Sequence, residues 1–93
     1  MNVIRHTLEK LQDPTNILEG NRYEFIIHIE VEEDDELYME NGVYIKLIYA
    51  ELPQESRIVQ YHVYEEITNN PLDFELEDDE LAELKDFCRS QVQ

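Results

Sequence analysis

The strongest restriction on the fold comes from three segments in which apolar and polar side chains alternate with a period of two. These segments are residues 22–31, 43–50 and 57–65. Because successive side chains of a β-strand point to opposite faces, each segment is predicted to be a strand with one buried face. The side chains predicted to be buried are Tyr23, Phe25, Ile27, Ile29 and Val31, then Val43, Ile45, Leu47 and Tyr49, then Val59, Tyr61 and Val63.

The connections between these segments are short, which predicts that the strands are antiparallel neighbours. The pair Asn41-Gly42 precedes the second strand and suits a turn that requires positive φ. Residues 52–56 link the second strand to the third, and this link is too short for the crossover that parallel strands require. A meander is therefore expected.

The N-terminal segment fits two interpretations. Ile4, His6 and Leu8 alternate as in a strand, whereas Ile4, Leu8 and Leu11 also have helical spacing. We favour a strand because the segment matches the other strands in length and because three strands alone make a thin sheet. The helix stays open as the alternative.

The C-terminal segment is predicted to be an α-helix. Asp78 or Asp79 can cap its N-terminus, and Leu81, Leu84 and Cys88 form an apolar stripe at helical spacing. The predicted fold class is α+β, an antiparallel sheet of three to five strands with this helix packed on it. A chain of 93 residues fits one domain, residues 1–93.

The chain is strongly acidic, with 23 acidic and 7 basic residues and a net charge of −16. Small soluble domains usually carry a net charge of about 2–8 in magnitude. Such a field repels nucleic acid and anionic membranes and attracts basic protein surfaces. The acids concentrate in residues 30–40 and 73–86. We therefore expect no nucleic-acid or membrane partner.

The single cysteine, Cys88, rules out an internal disulfide and fits a reducing compartment. No apolar run approaches the ~20 residues that cross a bilayer, and residues 1–11 lack the central apolar region of a signal peptide. A cytoplasmic location is expected.

Four short stretches occur in an order that resembles a small uncharacterised family of short acidic bacterial proteins. They are Arg22-Tyr23-Glu24-Phe25, Asp34-Asp35-Glu36-Leu37-Tyr38, Ser56-Arg57-Ile58-Val59 and Asp73-Phe74-Glu75-Leu76. The similarity runs from Asp13 to Cys88. It implies a bacterial cytosolic protein and assigns no site residues. Some members of the family carry the label pullulanase.

The sequence does not predict an enzyme or a cofactor. Glycoside hydrolysis needs two carboxyl groups across a sugar-binding cleft, and a chain of this length has little scaffold for one. Cys88 lies on the apolar stripe of an acidic helix, where nothing lowers the pKa of a thiol. His28 and His62 are predicted to share a sheet face, but their spacing matches no metal motif.

The favoured function is a non-catalytic acidic module that binds a basic protein surface. Acids supply the charge and tyrosines supply amphipathic anchors, as at many protein interfaces. The alternative is a small-ligand or divalent-metal site on the sheet face that carries His28 and His62. The sequence does not determine the oligomeric state. The residues predicted to bind the basic partner are Glu32, Glu33, Asp34, Asp35, Glu36, Tyr38, Tyr44 and Tyr64.

Overall fold

One antiparallel sheet and one helix make up the part of the chain that the computed structural model describes, residues 2–12 and 20–92. The strands follow one another in the sheet in the order β1-β2-β3-β4-β5, so the sheet is a meander. This confirms the predicted α+β class. The start of the family resemblance, at Asp13, lies outside the described residues. The elements are β1 (Asn2–Leu11), β2 (Asn21–Glu30), β3 (Val43–Glu51), β4 (Ser56–Glu65), β5 (Pro71–Leu72) and α1 (Asp78–Val92).

The N-terminal segment forms a strand, as favoured, and pairs along its length with β2. The register shifts between Val3 and Arg5, so Val3 pairs with Ile29 while Ile4 is left without a partner. Ile4 is 58% exposed. The predicted alternation of Ile4 with His6 and Leu8 is therefore wrong at Ile4, because an extra residue in a bulge reverses which side chains point to the core.

The core lies between one face of the sheet and α1. The predicted inner side chains of β3 are all buried, and so are Phe25, Ile27 and Ile29 of β2. Tyr23 and Val31, predicted with them, are partly buried against the same cluster. Two connecting segments also contribute, through Leu37 and Leu76. Alternation along β2 and β3 thus predicted the buried face correctly.

β4 departs from the predicted alternation. Gln60 pairs with Ile48, but Ile58 pairs with Tyr49, so Val59 is an extra residue in a bulge. Val59 is 44% exposed, whereas Ile58 packs against the core. The prediction that Val59 is buried is wrong, because the bulge shifts the alternation by one residue.

The turn before β3 forms where Asn41-Gly42 predicted it. The backbone N–H of Gly42 donates to the carbonyl oxygen of Met39 at 2.9 Å, and Gly42 has φ of +90°. Glycine adopts this left-handed conformation without the steric cost that a Cβ atom brings.

Helix α1 begins with three acidic residues, as the favourable interaction with its positive end predicts. Leu84 and Cys88 are buried on the sheet. The cap differs from the prediction of Asp78 or Asp79. The first helical bond runs from the N–H of Leu81 to the carbonyl oxygen of Glu77, so Glu77 is the N-cap residue. Its own N–H donates to the carboxylate of Glu80 at 3.0 Å, which is half of a capping box.

Candidate functional site

The face of the sheet opposite the core, here called the open face, is not covered by any element among the described residues. Tyr44 and Tyr64 are adjacent on it, and their rings stack at 5.2 Å with an interplanar angle of 18°. The ring of His28 lies 5.4 Å from that of Tyr44. These two predicted interaction tyrosines and His28 therefore form one aromatic row across β2, β3 and β4.

A carboxylate from the turn after β4 closes one end of this row. Glu66 Oε1 and His28 Nδ1 are hydrogen-bonded at 2.5 Å, and both side chains are about four-fifths buried. The Nη2 of Arg5 lies 3.5 Å from the other oxygen of Glu66. The Tyr44 hydroxyl donates to Asn69 Oδ1 at 2.7 Å. The turn is thus fastened to the open face by polar side chains, and the sequence prediction did not include Glu66.

The same turn holds two residues in the left-handed region, Ile67 with φ of 71° and Asn69 with φ of 58°. Asparagine tolerates this region, but a β-branched residue there is strained. Ile67 is also 80% exposed. The hydrogen bonds at Glu66 and Asn69 supply fixed points on either side of Ile67.

The predicted acidic residues of the loop after β2 do not form one surface. Glu32, Glu33 and Tyr38 line a shallow depression beside Ile4 of β1. Asp35 and Glu36 line a different one, beside the start of α1. Asp34 is exposed in the turn between them.

Leu37 anchors this loop. Its side chain is buried in the core, and its N–H donates to the carboxylate Oδ1 of Asp35 at 2.9 Å. The backbone N–H of Tyr38 donates to the carbonyl oxygen of Asp35 at 3.0 Å. Tyr38 is therefore held beside Leu37, and it lines the same depression as Ile29 and Val43, whose side chains belong to the core.

The depression beside α1, here called the acidic cleft, has a volume of about 430 Å³. Asp35 and Glu36 come from the loop after β2, and the remaining acids come from the segment that enters α1 and from its first turns. Among the described residues, no basic side chain lines it. The two acidic runs of the sequence meet here. The carboxylates of the cleft belong to Asp35, Glu36, Glu75, Glu77, Asp79, Glu80 and Glu83.

His28 and His62 share the open face, but they are separated by β3. Because neighbouring strands lie ~4.8 Å apart, strands β2 and β4 are roughly 10 Å apart. Tyr44 and Lys46 occupy the strand between them. Across residues 2–12 and 20–92, no three His, Cys, Asp or Glu side chains are grouped so that they could hold a metal ion.

Cys88 is a residue of α1, and its side chain is fully buried. Burial disfavours the thiolate and raises the pKa of the Cys88 thiol from 9.0 to about 12. The thiol is therefore protonated at neutral pH. This agrees with the expected role as a small apolar core residue.

The fold and its surface define a small α+β domain with one covered sheet face, one open face and an acidic cleft at the start of its helix. In the described part of the chain, no helix has the length and apolarity to cross a membrane. The chain belongs to the family of unknown function DUF6509, whose model matches residues 1–93. Comparisons with curated proteins and with solved structures give no match.

Proposed function

We propose that this protein is a non-catalytic interaction module that binds a basic protein surface through the acidic cleft. The observation that carries this proposal is the convergence of seven carboxylates from two separate segments on one cleft, to which the described part of the chain contributes no basic side chain. Charges separated by more than about 8 Å are largely screened at physiological salt. Carboxylates gathered in one cleft therefore attract a cationic group together, whereas the same acids dispersed over the surface would act separately.

A protein partner fits this cleft better than a phosphate ligand, because carboxylates repel phosphate and attract lysine and arginine side chains. Phe74 and Leu37 also line the cleft and contribute apolar atoms to it. The methylene groups of a lysine or arginine side chain can pack on such apolar surface while the charged group meets the carboxylates.

The tyrosines that we predicted as anchors have different positions relative to the cleft. Tyr44 and Tyr64 lie on the open face, and a partner that also covers them would have to wrap around the edge of the sheet. We therefore assign the primary contact to the cleft. A cytoplasmic location in a bacterium belongs to this proposal, and the free thiol of Cys88 supports it.

Two triple variants with equal net charge test the proposal. In the first, Glu36→Gln, Glu75→Gln and Glu77→Gln remove three exposed carboxylates from the cleft. In the second, Glu9→Gln, Glu40→Gln and Glu55→Gln remove three exposed carboxylates outside it. We expect a basic protein to be captured from a bacterial lysate by the wild type at about 50 mM salt and lost at about 300 mM.

The captured protein is then titrated against all three forms by calorimetry. The cleft variant is expected to weaken binding by about ten-fold or more, and the control variant by less than about three-fold. Equal losses in both variants would show that the charge acts as an overall field and would contradict a cleft site. Capture of the same unrelated proteins by all three forms would contradict a specific partner.

A further inference from the structure

A second surface of different character lies on the opposite flank of α1. A groove of about 490 Å³ runs between α1 and the first half of β4. β3 pairs with one edge of β4 along its length, but β5 pairs only with Val63 and Tyr64, so no described strand lies beside the outer edge of that half of β4. Val59, which the bulge turns away from the core, is exposed at this groove together with Ala82 of the helix, and Leu81 lines the groove as a partly buried residue.

The charges on the helical wall of this groove form a pattern that is complementary to itself. Asp78, Leu81, Ala82 and Lys85 line it at positions i, i+3, i+4 and i+7, which is one side of a helix. A negative residue stands at one end, a positive residue at the other, and small or apolar residues lie between them. If a second helix of the same sequence packs antiparallel on this stripe, Asp78 of each copy meets Lys85 of the other. The stripe is thus complementary to itself under a two-fold rotation, as an isologous interface requires.

The charges of the groove also favour a second copy over other occupants. Arg57 and Lys85 form no ion pair within the described residues, and neither do Lys10 and Arg22, whereas Arg5, Lys46 and Arg89 each have an acidic partner. The groove therefore carries two uncompensated basic side chains and one acidic one, in a molecule of net charge −16. Two such acidic molecules repel each other over most orientations, and this groove is where they can approach with opposite charges facing.

The bulge at Val59 argues against an added β-strand as the occupant. Strand addition requires a regular row of free N–H and C=O groups, and a bulge interrupts that row. Side-chain packing between helices has no such requirement. We propose that two copies of this chain associate through α1, with Val59, Leu81 and Ala82 at the centre and two reciprocal Asp78–Lys85 ion pairs around them.

Analytical ultracentrifugation of the full chain tests this proposal. At about 300 mM salt and from about 10 to about 500 µM protein, the wild type is expected to approach twice its mass of 11.2 kDa. Lys85→Asp places like charges opposite each other and is expected to weaken association by about ten-fold or more. Adding Asp78→Lys to that variant restores opposite charges in exchanged positions and should recover the dimer. Lys10→Asp makes the same charge change on an exposed residue of β1 and should have no such effect.

A second variant covers the case in which Asp78→Lys harms the helix start. Ala82 is exposed near the middle of α1, so Ala82→Arg is expected to leave the far-UV circular dichroism unchanged and to abolish the dimer. A wild type that stays monomeric at about 500 µM overturns the proposal. So does a dimer that survives both Lys85→Asp and Ala82→Arg. A monomer whose groove is occupied only after a different protein is added would also overturn it, and would assign the groove to that protein.

This inference is independent of the partner proposed for the acidic cleft. The cleft variant changes Glu36, Glu75 and Glu77, none of which lines the groove, and it should dimerise as the wild type does. The Lys85→Asp variant should bind the basic partner as the wild type does. Failure of one proposal is therefore distinguishable from failure of the other.

Discussion

At the scale of single residues, Cys88 links burial to a pH dependence of stability. Its pKa is raised from 9.0 to about 12 in the folded protein. Between these values the unfolded chain loses the thiol proton while the folded chain keeps it. The unfolded state is therefore favoured by about 1.4 kcal/mol for each pH unit in this range. Below about pH 9 this loss is absent.

The variant Cys88→Ala lacks the titrating thiol and isolates its contribution. At about pH 7 it should be less stable than the wild type by about 1–2 kcal/mol, because the core loses a buried sulfur atom. As the pH rises from about 9 to about 11, this difference should shrink and then reverse. Urea unfolding of both proteins across that range measures it. Curves that stay parallel would contradict a raised pKa at Cys88.

Other residues show why a sequence locates side chains on faces more readily than it locates their contacts. The alternation of β3 placed Tyr44 on the open face, where it lies. Nothing in the sequence around Glu66 distinguishes it from the chain's other acids, yet it meets His28 and Arg5 across 38 and 61 residues. No residue pattern predicted the left-handed backbone at Ile67 either, because a β-branched residue disfavours that conformation.

At the scale of elements, the bulge of β4 gives a direct test of which side chain faces the core. Ile58→Ala should lower the free energy of unfolding by about 1–2 kcal/mol, because Ile58 packs against the buried cluster. Val59→Ala should change it by less than about 0.5 kcal/mol. A strand without the bulge would give the opposite order. The measurement is urea unfolding at a protein concentration low enough that the proposed dimer makes no contribution.

The bulge also shows where prediction from periodicity ends. A period of two assigns faces only while the ladder stays regular, and one extra residue reverses every assignment beyond it. Ile58 and Val59 are both β-branched and apolar, so their propensities do not reveal which one is extra. β2 and β3 have no shift between them, and their buried faces were predicted correctly. Likewise, the two acidic runs were visible in the sequence, but their convergence depends on where Leu37 is anchored.

At the scale of the whole molecule, the net charge of −16 predicts opposite effects of salt on two properties. Salt should stabilise the fold of the protein alone and should weaken its binding to a basic partner. Self-repulsion destabilises a compact state that concentrates like charges, and salt screens this repulsion. The temperature of half-unfolding should therefore rise by several degrees between about 20 and about 300 mM NaCl. The Lys85→Asp variant is the form to use for this experiment, so that salt-dependent dimerisation does not add to the shift.

The cleft variant provides the internal comparison for that measurement. Replacing Glu36, Glu75 and Glu77 removes three charges from one region, so its unfolding temperature should respond less to salt than that of the Glu9, Glu40 and Glu55 control. The physical reason is that repulsion is greatest where like charges are closest. Equal slopes in the two variants would show that the cleft stores no more repulsion than the rest of the surface. The same closeness of carboxylates is what attracts a basic partner. If the unfolding temperature depends more steeply on salt in the control variant than in the cleft variant, the cleft carboxylates that destabilise the fold are the ones proposed to bind the partner.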